Sequence, residues 1–99
     1  MDATLTVTIF SRISIRIIKE QENIIGPLAW DEAAKVEGLT VVSRTTPEVS
    51  FVGDPKKAIN ALVERYEKLF GRLSREVSRE AVGDLTSEIS AEDIPTSLR

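Results

Sequence analysis

Between Asp54 and about Gly83 the residues Ile59, Leu62, Val63, Tyr66, Leu69, Phe70, Leu73 and Val77 recur at three- and four-residue steps. That spacing places them on one apolar stripe of a helix. Asp54 stands where an N-cap belongs and Pro55 where the first helical residue belongs. At ~1.5 Å per residue such a helix runs to roughly 43 Å, longer than the ~30 Å width of a small domain, so part of it must bend or reach toward a partner. Gly71 interrupts it at a cost of about 1 kcal/mol relative to alanine. Two explanations stand side by side: a kink within one subunit, or close packing of the segment from Leu69 to Val82 against a symmetry mate.

Upstream the pattern changes period. From Thr4 to Ile18 the odd positions Leu5, Val7, Ile9, Ile13, Ile15 and Ile17 are apolar and alternate with Thr4, Thr6, Thr8, Ser14 and Arg16. Period-two alternation rich in β-branched residues predicts strand. Either a hairpin turning at Phe10, Ser11 and Arg12 or a single long strand keeps these residues on one face, and the hairpin is the preferred form. Pro27 opens a short helix that carries Trp30, Asp31 and Glu32 and ends before Gly38. Leu39 to Ser43 and Glu48 to Val52 read as two more strands joined by Arg44, Thr45, Thr46 and Pro47. The expected fold is therefore α+β, a small antiparallel sheet of about four strands in the order ββαββα, covered by one long C-terminal amphipathic helix. Residues 1–83 form the domain and 84–99, with Asp84, Glu88, Glu92, Asp93 and the helix-breaking Pro95, form a mobile acidic tail.

Composition narrows the chemistry. With 99 residues, 41% hydrophobic and 29% charged, the chain can bury one core of modest stability. A net charge of -3 argues against bulk attraction to polyanions. Cysteine and histidine are absent, which removes disulfides, thiolate chemistry, the usual zinc ligands and the commonest general base. Carboxylates, Lys, Ser and Tyr66 are left. The polar loop from Ser43 to Thr46 lacks the glycines of a phosphate cradle. The carboxylate pairs Glu64 and Glu67, and Glu76 and Glu80, share helix faces at spacings that arise by chance in any charged helix. No catalytic residue, cofactor or metal is assigned. The first residues lack the continuous apolar core of a signal peptide, and the uncharged run from Ile24 to Trp30 is too short for a bilayer, so the expected location is cytoplasmic. A single Gln beside abundant Glu, Arg and Lys fits a thermophile.

Two surfaces remain as candidates. Along the second half of the long helix Leu69, Leu73, Val77 and Ala81 form a face without a partner in the domain, which predicts a protein-protein interaction module, homodimeric through that half. Trp30 joins this set only if exposed; on its short helix it is first a core anchor. On the opposite side Arg65, Lys68, Arg72, Arg75 and Arg79 fall in one sector and make a basic ridge. An ordinary solvated face explains the ridge, and the alternative is a nucleic-acid-associated protein that uses it against phosphates.

Overall fold

The computed structural model describes residues 3–99, with side chains from Ile9 onward. The first element is a helix, α1 (Ala3–Ile25), followed by α2 (Leu28–Ala33), the strands β1 (Leu39–Ser43) and β2 (Glu48–Phe51), and the helices α3 (Pro55–Phe70), α4 (Arg72–Ala81) and α5 (Gly83–Thr86). Short 3-10 turns at Ala91–Asp93 and Thr96–Leu98 close the chain. The described residues are thus mostly helical around one two-stranded antiparallel sheet. The expected four-stranded sheet under one long helix is corrected on both counts.

The first correction concerns residues 4–18, read as a hairpin or long strand and folded as helix. The same stretch carries a second period. Phe10, Ile13, Ser14, Ile17, Ile18 and Gln21 are all buried, at steps of three and one that define a helical stripe. The alternation discounted Phe10 and Ile18, which occupy even positions, and placed polar Ser11 in an odd one. The placement of the Leu5 and Val7 side chains lies outside the described residues. Propensity does not decide the contest: each β-branched residue loses about half a kcal/mol in a helix, whereas burying an Ile contributes roughly 1.5–3 kcal/mol. Without Gly or Pro until position 26, the helix continues until Gly26, at φ 72, donates its N–H to the Glu22 carbonyl at 2.8 Å and Pro27 follows.

The second correction concerns the long helix. Asp54 caps α3 as its type predicts, its Oδ1 accepting from the Lys56 N–H at 2.9 Å. The helix then stops at Gly71, whose backbone sits at φ 94 and ψ 179, a combination essentially restricted to glycine. A longest dimension of 36 Å leaves no room for the roughly 43 Å helix the spacing implied. The break also resets the helical phase. Ile59, Leu62, Val63 and Tyr66 stay in the core, but Leu73 points outward at 78% exposure, and Ser74, Ser78 and Val82 turn inward instead.

β1 and β2 pair with Leu39 opposite Phe51 and Val41 opposite Val49, and a bulge lies between Val41 and Ser43. Leu39 and Val49 are buried and Thr40, Val42 and Ser50 exposed, the two-sided pattern of a hairpin laid on helices. Gly38, at φ 88, lets the chain pass close to the Val52 carbonyl; a Cβ there would come within 3.3 Å of that oxygen. The core runs between α1, α2, α3 and the inner face of the hairpin. Residues 84–99, expected as a tail, lie along α3 and α4: Leu85, Ile89 and Leu98 are buried, and Asn60 Oδ1 accepts from the Ser97 N–H at 3.0 Å and hydroxyl at 2.7 Å.

Candidate interaction surface

α4 packs on α1 through polar atoms. Gln21 is fully buried, and its Nε2 donates to the Ser74 carbonyl at 3.0 Å and to Ser78 Oγ at 3.4 Å. The Ser78 hydroxyl in turn donates to the Ser74 carbonyl at 2.9 Å, while Gln21 Oε1 has no hydrogen-bond partner. Small serines let the helices approach closely, so the stabilisation here comes from dispersion and hydrogen bonds more than from apolar burial. Toward the other end of α4, Arg16 Nη1 donates to the Ala81 carbonyl and pairs with Asp84, each at 3.2 Å, and Arg12 lies 3.7 Å from Glu88. These contacts run α4 antiparallel to α1.

With the serines turned inward, the apolar side chains of α4 are left on the surface. Leu73 is exposed, Val77 and Ala81 are half-buried, and their four-residue spacing keeps them in line. Val77 and Ala81 share a shallow groove with Ile24 of α1, itself 62% exposed, and Glu20, Glu80 and the Arg16–Asp84 pair form its walls. Leu69, at 49% exposure, lies just across the turn at Gly71. The four α4-side candidates read from the sequence are therefore accessible. Ile24 was missed: it was read only as the start of the uncharged run to Trp30, and the helical register of α1 brings it out beside Val77.

Trp30 does not join this surface. It is buried at 3% exposure, with Nε1 donating to Glu22 Oε2 at 2.8 Å, and so ties α2 to the end of α1. Nearby, Glu32 is held by Lys35 at 3.1 Å and Arg65 at 2.8 Å, and these hydrogen bonds, Lys35 first and Arg65 next, keep its carboxyl below the ordinary 4.5 against the opposing effect of burial. Tyr66 donates its hydroxyl to the Ala29 carbonyl at 2.6 Å. Burial first, and the Glu32 charge second, raise that phenol well above its ordinary 10.0.

The basic ridge does not survive as one row, because Gly71 divides it between two helices. Arg65 belongs to Glu32, Arg79 lies 3.3 Å from Glu76, and Arg75 Nε lies 3.0 Å from Glu67 at an angle suited to an ion pair but not to a hydrogen bond. Lys68, Arg72 and Arg75 instead face Glu64, Glu67 and Glu76 around a cleft of about 830 Å³ at the turn, with Leu73 at its lip. That cleft is charge-balanced. Among the described residues no cluster of three or more carboxylates has metal-binding geometry, and no helix is long and apolar enough to cross a membrane. Comparison of the chain with protein-family models, curated proteins and solved structures finds no match.

Proposed function

We propose that this chain is a small non-catalytic interaction module that self-associates through the second half of its long helical segment, the part now seen as α4. The observation that carries this reading is Leu73, a large aliphatic side chain at 78% exposure, in line with Val77 and Ala81, which share a groove with Ile24. An exposed row of this kind supports an association site, alongside the separately exposed Val42 and Val52 at the hairpin. A second copy fits it by charge. Arg72 lies at one end of the row and Glu80 at the other, so a two-fold axis near Val77 sets each cationic end against the partner's acidic end. The basic ridge offers phosphates less, since three of its five cations are already paired within the chain. Leu73→Glu and Val77→Glu test the proposal: each is expected to convert a dimer to a monomer with unchanged far-ultraviolet circular dichroism. A parent that is monomeric at all concentrations overturns it.

A further inference from the structure

We infer that Gln21 sets which face of α4 the protein presents, and so governs whether the row of Leu73, Val77 and Ala81 is available to a second copy. The inference rests on the self-association proposed above and names the residue that regulates its surface. α4 is seated against the usual order of burial: Ser74 and Ser78 face α1, while Leu73 stands 78% exposed and Val77 and Ala81 are half-buried. A slip of α4 by one residue, about 100° of rotation and 1.5 Å along its axis, carries Leu73, Val77 and Ala81 into the places of Ser74, Ser78 and Val82. That setting puts two aliphatic side chains where two hydroxyls lie and exchanges a valine for an alanine, so hydrophobic burial favours it. Gly71 and Gly83, at the two ends of α4, meet nothing within 4 Å where a Cβ would stand, which leaves both joints free to follow. The larger side chains make α4 ride further from α1, and the open groove beside Ile24 gives it room.

Gln21 opposes the slip. It is fully buried in the seam, where its Nε2 donates to the Ser74 carbonyl at 3.0 Å and to Ser78 Oγ at 3.4 Å. Slipped by one residue, α4 offers it the Val77 side chain in place of the Ser78 hydroxyl, and the added bulk holds the backbone carbonyl beyond hydrogen-bond reach. A buried carboxamide is then left without any partner, which costs more than the bonds it now makes contribute. Its Oε1 already has none, so the seat is a polar contact kept in spite of its cost. Fixing one register against a competing one is the best-attested use of such a buried polar group. Arg16 also holds α4, through the Ala81 carbonyl and Asp84, but that ion pair is exposed, at 40% and 66%, and constrains the register little.

The test is Gln21→Leu in the full chain, read by thiol labelling and by mass. The chain has no cysteine, so Leu73→Cys and Ser78→Cys, made singly, each supply the one thiol. With Gln21 in place, at a dilution where the parent is monomeric, the thiol at position 73 is expected to react with a maleimide faster than the thiol at position 78. With Gln21→Leu that order is expected to reverse. Light scattering is expected to show a dimer for the parent and a dissociation constant raised about a hundredfold by Gln21→Leu, since both copies must face outward and only about a tenth of the protomers then do. An unchanged labelling order overturns the role of Gln21, whatever the mass. A reversed order with a parent that is monomeric at every concentration overturns the association and leaves the setting of α4 by Gln21 standing. A reversed order with dimerisation unaffected overturns the α4 row as the surface that Gln21 regulates. Gln21→Met, matched in length and volume and without a hydrogen-bond donor, takes the place of Gln21→Leu if the branched side chain prevents folding. A purely structural role for Gln21 would lower the melting temperature of both variants and leave the labelling order as it was.

Discussion

Tyr66 and Glu32 show how single side chains join α2 to α3. The Tyr66 hydroxyl reaches the Ala29 carbonyl, so Tyr66→Phe is expected to cost about 1 kcal/mol by chemical denaturation, with the fold unchanged. Because the folded phenol titrates above its ordinary 10.0, the stabilisation is intact below pH 10 and is lost as pH rises through the folded value. As this is the sole tyrosine, phenolate absorbance in an alkaline titration should appear only together with unfolding. Its appearance in folded protein near pH 10 would contradict the packing. Glu32 behaves with the opposite sign. Its carboxyl lies below 4.5 in the fold, so its contribution is present above the unfolded value and lost as pH falls through the folded one. Wild type should therefore exceed Glu32→Gln in melting temperature at neutral pH, and the difference should shrink steadily below about pH 4.5; a gap that persists in acid would remove the ion pairs as its cause.

At the scale of elements, α1 is where two periodicities compete in one stretch of sequence. The hairpin reading turns Ile18 away from the core; the helix buries it completely. Ile18→Ala should then cost about 2–5 kcal/mol in urea unfolding, and a cost below half a kcal/mol would favour the strand. The hairpin of β1 and β2 was legible because its alternation is short, two-sided and bounded by Gly38 and Pro47. So was the start of α3, where Asp54 and Pro55 act through local chemistry. The N-terminal helix was not, because β-branched residues satisfy a period of two and a helical stripe at once, and only tertiary burial chooses between them. Gly71 was read as either a kink or a close contact with a symmetry mate, and spacing alone carries no information about the phase reset that turns Leu73 outward and Ser74 and Ser78 inward. Their polar seat on α1 yields a further prediction. Gln21 Oε1 is buried without a partner. Replacing the pair by Gln21→Leu with Ser78→Ala should leave stability unchanged or raise it by about 1–2 kcal/mol, measured by thermal denaturation; a loss of that size would mean that the seat depends on its hydrogen bonds.

For the whole molecule, the surface proposed for association was partly named from the sequence. The residues named for it on the helix are reachable, Leu69 and Leu73 exposed and Val77 and Ala81 half-buried, and so are Ile24, Val42 and Val52, which were not named for it. The named residues were read as the overhang of a helix too long for its domain; in the structure the turn at Gly71 rotates Leu73 out, with Val77 and Ala81 half-buried along the same line of α4. Trp30 lies in the core, and the cations of the ridge are divided between internal ion pairs and a balanced cleft. Among what the fold leaves on its surface is an aliphatic row on α4, with Arg72 at one end and Glu80 at the other. The central claim, that this row is covered by a second copy, is tested most directly by the molar mass in solution from light scattering, taken over a wide concentration range for the parent chain and for Leu73→Glu. The expected result is twice the 10.9 kDa chain mass for the parent and 10.9 kDa for the variant, with the same helical content in both. A parent mass of 10.9 kDa at every concentration, or a Leu73→Glu variant that remains dimeric, would contradict it.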